Sequence, residues 1–191
     1  MPSAENRAPA LVIRGRVDAD LAEVVAIMAE VRDRDGYPLH WPADPARWLA
    51  GGRLIGAWVA TLDGQLAGHV SLSRPGRGDA ALALADAGAL GAGVPGQAPA
   101  PAQAPAPAPA AMVSRLFVAP AARGHRAGAA LLDQAVHVAR GLGCRPLLDV
   151  RSANTAAIAL YERRGWRLLG STEDVWGRDR VTILSYAAPP R

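Results

Sequence analysis

The run from Ser114 to Val150 limits the fold more than any other part of the chain. Ser114 to Val118 reads as a strand, and Pro120 stops it. From Arg126 to Arg140 apolar residues recur at helical spacing: Leu131, Ala135 and Val138 form one stripe, with Leu132, Val136 and Ala139 beside it. Gly141 and Gly143 end that helix, and Leu147 to Val150 reads as a buried strand. Strand, crossover helix and strand in this order predict a parallel, right-handed βαβ unit. The chain therefore needs a sheet with helices on its faces.

The flanking segments extend that sheet. Leu11 to Arg14 reads as a strand, and Asp18 or Asp20 then caps a helix carrying Leu21, Val24, Val25, Ile27, Met28 and Val31. Pro38, Pro42 and Pro45 make 33–51 a loop with a short helix at Pro45 to Leu49. Leu54 to Leu62 and Gln65 to Ser73 flank Asp63-Gly64, a strong hairpin signal. Asn154 to Arg164 is a helix ended by Gly165, and Trp166 to Leu169 and Val181 to Tyr186 are closing strands. The expected class is α/β (α+β), a mixed central sheet flanked by helices. Residues 1–10 are expected to be a flexible N-terminus, 11–187 one domain, and 188–191 a tail.

Composition bears on what the chain excludes. The 191 residues suit one domain with some excess. That excess is assigned to 76–111, whose second half, APAPAQAPAPAPAA, favours extended polyproline conformation and cannot bury a core. It reads as a disordered loop insertion, because surface insertions cost little chain entropy. All 21 basic residues are arginine, the net charge is +4, and the arginines are dispersed, so no nucleic-acid partner is expected. One cysteine, Cys144, excludes a disulfide framework and is expected to be a buried thiol. His40, His69, His125 and His137 show no metal-ligand spacing, so no metal is expected. No membrane span or leader is legible, and a cytoplasmic location is expected.

Two segments carry chemistry. Between Val118 and the helix, Arg123-Gly124-His125-Arg126-Ala127-Gly128-Ala129 forms a small, basic, glycine-bearing loop. A helix N-terminus offers free N–H groups and the positive end of its dipole, and small residues let an anion reach them. Arg123 and Arg126 add charge, so the loop suits a pyrophosphate. The absence of lysine weakens an NTPase-loop reading, and Gly124 to Gly128 does not supply the Gly-x-Gly-x-x-Gly of a dinucleotide fingerprint. Asn154 and Tyr161 lie two helical turns apart, on one face with Ala157 and Ile158.

Taken together, the two segments resemble the GNAT acetyltransferase superfamily. Leu116, Val118 and Pro120 match its strand. Arg123, Gly128, Leu131 and Leu132 match its loop and helix. Asn154, Ala157, Tyr161, Gly165 and Trp166 match its later helix. Arg126 departs from the pattern, standing where the family carries a loop glycine, and the Ala/Pro insertion departs as well. The resemblance implies acetyl-coenzyme A as acyl donor, without metal. The amides from His125 to Ala129 would hold its pyrophosphate, with Arg123, Gly124 and Arg126 contributing. The backbone of Leu116, Phe117 and Val118 would pair with the pantetheine arm, and the Val118 N–H would polarise the thioester carbonyl. Asn154 would bond the arm, and Tyr161 would protonate the departing thiolate.

The implied activity is N-acetylation of a primary amine, in a small molecule or peptide, by direct attack. The alternative is a non-catalytic acyl-coenzyme A-binding module. The general base is open, with Glu30, Asp33, Asp35, His40 and His69 as candidates. Tyr37, Trp41 and Trp48 sit where the family builds its acceptor pocket. A homodimer is compatible with these features.

Overall fold

A computed structural model describes residues 9–76, 78–90 and 108–190. The strands are β1 (Leu11–Gly15), β2 (Leu54–Leu62), β3 (Gln65–Ser73), β4 (Ala110–Val118), β5 (Arg145–Arg151), β6 (Arg167–Trp176) and β7 (Asp179–Ala187). The helices are α1 (Leu21–Asp35), α2 (Pro45–Ala50), α3 (Ala80–Leu90), α4 (Ala127–Gly141) and α5 (Thr155–Arg163). The seven strands form one mixed sheet in the order β1-β2-β3-β4-β5-β7-β6. β4 and β5 are parallel, as the crossover helix between them requires, and β1–β2, β5–β7 and β6–β7 are antiparallel. This is the expected α+β architecture.

The contacts cluster in two compact units, reaching to Ser71 with Arg115–Ala135 in the first and covering Leu72–Ser114 with Val136–Arg191 in the second. In the first unit, Val24, Ile27, Met28 and Val31 of α1 are buried at the spacing the sequence shows. Asp44 starts α2 by accepting the Arg47 N–H (2.9 Å), with Pro45 at the first helical position. Asp63 (φ 50°) and Gly64 (φ 83°) are both left-handed, the conformation of a two-residue type I′ hairpin turn. Ala10 donates its N–H to Asp63 (2.9 Å) and accepts the Asp63 N–H (3.0 Å), so the end of the expected flexible terminus is tied down.

In the second unit, Ala81, Met112 and Leu147 form a cluster joined by Leu82, Ala85, Leu169 and Ala187. The presence of α3 is the main departure from expectation, since 76–111 reads as an insertion without structure. Ala80 to Leu90 contains no proline and is rich in alanine and leucine, the strongest helix formers. Its amphipathic signal is weak because nearly every position is apolar, so periodicity does not reveal it. Asp149 of β5 supplies the cap, accepting the Ala81 N–H (3.0 Å) and the Ser185 hydroxyl (2.6 Å). Burial raises the Asp149 pKa, and those two donors oppose the rise. The Ala-Pro repeat falls largely on 91–107, outside the described residues. The expected tail is bound: Ala188 donates to Pro146 (3.0 Å), and the Pro189 carbonyl accepts from Arg140. Cys144 is half-buried, since it lies in the turn before β5 and not in a strand.

β3 runs very close to β4 at Gly68. A Cβ there would lie 2.7 Å from the Phe117 carbonyl oxygen, 3.1 Å from Leu131 Cδ1 and 3.3 Å from Val118 Cα. Two of those atoms are backbone, so relief requires moving β4. Gly68→Ala is expected to destabilise the fold by about 1–3 kcal/mol, read as a lower denaturant midpoint with unchanged slope.

Candidate functional site

β4 is kinked from within. Arg115 has φ 52°, left-handed backbone inside a strand. The parallel register with β5 runs over Ala110–Met112, and six residues of β4 lie beyond the last pair. Past the kink, Ala119 donates its N–H to Ala67 of β3 (2.8 Å). Strand alternation then turns the Val118 N–H away from β3. The Phe117 carbonyl lies against Gly68, and the Phe117 ring stacks on His69 at 5.4 Å and meets Tyr37 at 6.4 Å.

The loop after β4 opens with a 3₁₀ turn, Pro120–Ala122, which Pro120 initiates. Arg126, not a glycine, holds φ 63°, and Gly124 holds φ 86°. The first helical bond of α4 runs from the Ala130 N–H to the Arg126 carbonyl (3.0 Å). Helix geometry leaves the amides of Ala127, Gly128 and Ala129 without a helical acceptor. Arg126 is exposed, whereas Arg123 forks onto Asp35 at the end of α1, with Nη1 at 3.2 Å from Oδ1. That pair engages both a candidate phosphate-binding cation and a candidate base. His125 Nδ1 donates to the backbone carbonyls of Arg123 (3.1 Å) and Ala122 (3.3 Å), which fixes its ring on the loop.

His69 is fully buried, and its two contacts fix its tautomer. Nδ1 lies 3.0 Å from the Arg115 carbonyl, which can only accept, so Nδ1 carries the proton. Nε2 lies 3.2 Å from Arg16 Nη1, which can only donate, so Nε2 accepts. Burial pushes the His69 pKa down to about 4; the hydrogen bond to the Arg115 carbonyl opposes this, while the charges of Arg16 and Arg115 add to it. With its lone pair committed and its basicity low, His69 acts as a neutral strut that holds the β4 kink. Glu30 and Asp33 are exposed on α1, and His40 is exposed as well.

Around this strut the structure sets arginines the sequence did not single out, Arg16 and Arg115, beside Trp48 and Tyr37, which it did. Arg16 donates to the Leu49 carbonyl (3.0 Å), and Arg115 lies over the Trp48 ring at 4.6 Å. An arginine in the middle of a mostly apolar strand was the available signal. Tyr37 is pushed up to about 12 by burial, with Arg115 opposing. Arg32 lies over Trp41 at 5.7 Å.

In the second unit, the Asn154 side-chain oxygen caps α5 by accepting the Ala157 N–H (3.4 Å), which leaves its amide nitrogen as a donor. Gly165 (φ 75°) ends α5 in a Schellman motif: its N–H donates to Glu162 (2.9 Å), and the Trp166 N–H donates to Tyr161 (3.0 Å). That closure sets Trp166 against Tyr161, with ring centroids 5.9 Å apart, and the Tyr186 ring lies 6.2 Å from Tyr161. Tyr161 is consequently buried. Among the described residues no three His, Cys, Asp or Glu side chains gather as metal ligands would.

A sequence profile of the Acetyltransferase (GNAT) family matches residues 24–166. No curated protein matches the sequence. Solved structures share the fold at low identity. One is a putative phosphinothricin N-acetyltransferase, 22% identical, with 94% of this chain and 98% of that chain covered and a TM-score of 0.63. Another is Arabidopsis thaliana NAA60 in complex with acetyl-CoA, 18% identical, covering 93% and 97%, with a TM-score of 0.65. A third is a ribosomal-protein-alanine N-acetyltransferase from Brucella melitensis, 22% identical, covering 92% and 98%, with a TM-score of 0.60.

Two predictions follow from this geometry. An unfolded histidine takes up a proton near pH 6.5, while His69 in the folded chain does so only near pH 4. Stability tied to this group is therefore complete above pH 6.5 and falls as pH drops toward 4, by roughly 3 kcal/mol over the window. Subtracting the acid-denaturation profile of His69→Gln, which cannot titrate, isolates that slope; identical profiles refute it. The second concerns the left-handed Arg126. Relief of about 1–2 kcal/mol of strain by Arg126→Gly outweighs the roughly 0.5–1 kcal/mol entropic cost of glycine. A small rise in melting temperature is expected by calorimetry.

Proposed function

This chain belongs to the GNAT acetyltransferase family, and we propose that it transfers an acetyl group from acetyl-coenzyme A to a primary amine. The observation that carries the proposal is that β4 outruns its register with β5 just before a helix start whose amides lack helical acceptors. A strand edge and an anion-binding turn in succession suit a cofactor with an amide-bearing arm and a pyrophosphate.

The roles follow from each group's bonding capacity. The amides of Ala127, Gly128 and Ala129, with the exposed Arg126 beside them, hold the pyrophosphate; Gly124 and His125 shape the turn. Arg123, already met by Asp35, braces that turn against α1. Leu116 and Val118 offer their backbone groups to the pantetheine arm, while Phe117 is anchored toward β3 and His69. The Val118 N–H polarises the thioester carbonyl. The Asn154 amide nitrogen donates to the arm. The Tyr161 hydroxyl, on a ring fixed by Trp166 and Tyr186, protonates the departing thiolate.

Positioning supplies most of the rate. A thiol of pKa ~8.5 already leaves well as thiolate, so the acid helps moderately. An alkyl amine of pKa ~10.4 must first lose a proton. Direct attack by that neutral amine needs no covalent enzyme intermediate.

Thiol release from acetyl-coenzyme A in the presence of a panel of amines tests the activity. Tyr161→Phe should lower kcat by about 10- to 100-fold while coenzyme A affinity, by calorimetry, stays within about twofold. Equal turnover by the variant would remove the acid role, and release with no amine in the panel would favour a binding module.

A further inference from the structure

In the first unit, Arg16 and Arg115 use little of their guanidinium hydrogen-bonding capacity within the protein; Arg32, over Trp41, also has a buried Nη1 without a partner. Arg115 carries five N–H donors. Its Nη1 reaches the Ser71 hydroxyl only at 3.5 Å, and its Nε is buried with no partner. The group lies between the Trp48 ring on one side and the Gly51 backbone on another, where a Cβ would come within 3.2 Å of Nη2. Arg16 spends one nitrogen, Nη1, on the Leu49 carbonyl and on His69 Nε2. The two side chains converge on one small region, because His69 bridges Arg16 to the Arg115 backbone and Trp48 and Leu49 are neighbours on α2.

The charges facing this region are unbalanced. Asp20 is chelated by Arg14 at 2.7 Å on both oxygens and also accepts the Val17 N–H at 2.8 Å. The exposed Asp18 and the chelated Asp20 both act on Arg16, but only at longer range than an ion pair. Tyr37 stays neutral, and so does His69. Among the described residues neither Arg16 nor Arg115 forms an ion pair with a carboxylate. Burial lowers the pKa of both, and Arg16 acts on Arg115 in the same direction. Half-buried cations whose counter-charges are all at longer range are costly, and an incoming anion would offset that cost.

We propose that Arg16 and Arg115, with Trp48 as the stacking wall, form a carboxylate receptor, so that the acceptor is a small amine bearing a carboxylate, such as a free amino acid. This names the acceptor class of the acetyl-transfer site and rests on that reading. The kink explains the placement. The left-handed residue that exposes the far edge of β4 is the one that carries the guanidinium, three residues before the Val118 N–H. A planar, forked donor pair suits a carboxylate better than a neutral or cationic acceptor.

The test separates binding from chemistry. N-acetylated amino acids with glycine, alanine, methionine, phenylalanine, glutamate and lysine side chains, and their N-methylamides, are titrated calorimetrically into wild-type protein with and without coenzyme A. At least one acid should bind about tenfold or more tightly than its methylamide. Arg115→Gln and Arg16→Gln should each reduce that preference severalfold while leaving coenzyme A affinity unchanged. If every acid binds no better than its methylamide, or if both variants keep the preference, the receptor is wrong. If acids are preferred but no amine is acetylated, the receptor stands and the transferase reading fails.

Discussion

A single left-handed residue inside a strand, Arg115, organises the first unit of this molecule. A residue other than glycine at φ 52° is unfavourable by about 1–2 kcal/mol, so the surroundings must hold it there. They do so through the carbonyl: buried His69 donates Nδ1–H to the Arg115 oxygen and is itself steadied by Arg16 and by the Phe117 ring. The kink leaves Phe117 against Gly68 and turns Val118 the other way. Backbone strain, a neutral buried histidine and a close strand approach thus form one construction.

The two segments that carry the family resemblance have their own local explanations. Tyr161-x-x-x-Gly165-Trp166 is a helix ending in a Schellman motif. The glycine takes the left-handed turn, the aromatic after it meets the ring four residues before that glycine, and two orphan helix carbonyls, of Tyr161 and Glu162, gain donors. Asn154 begins the same helix as its cap. The spacing therefore satisfies backbone groups and fixes the tyrosine ring together. At the α4 loop the match to helix-start chemistry is similar, except that Arg126 takes a left-handed position without glycine's freedom.

Much of the fold was legible because it depends on local signals. Asp63-Gly64 fixed the hairpin, and the Leu131-to-Val138 stripe fixed α4 to within a residue at each end. What was not legible depends on distant partners. The α3 helix sits in a segment whose neighbours are proline-rich, and its cap comes from Asp149, 68 residues away along the chain. β6 and β7 run to Trp176 and from Asp179, well past the apolar stretches, because each supplies the other's hydrogen bonds whatever its side chains are. The Arg115 kink has no local sequence mark, since left-handed backbone is expected of glycine, asparagine or aspartate and not of arginine.

The same contrast locates the functional information. Arg14, Arg123 and Arg145 are each answered by a carboxylate, Asp20, Asp35 and Asp86, so their presence is accounted for by the fold. The Trp166 N–H is likewise answered by local backbone. A chain selected only to fold would gain by answering Arg115 too, or by replacing it with an apolar residue, since even a half-buried charge without an ion-pair partner is unfavourable. It instead keeps Arg115 on the strand that carries the proposed catalytic amide and stacks it on Trp48. The cost of that arrangement falls on the unliganded protein, and an anion arriving between Arg16 and Arg115 offsets it. Groups satisfied within the chain explain the architecture, whereas donors left unsatisfied describe the ligand.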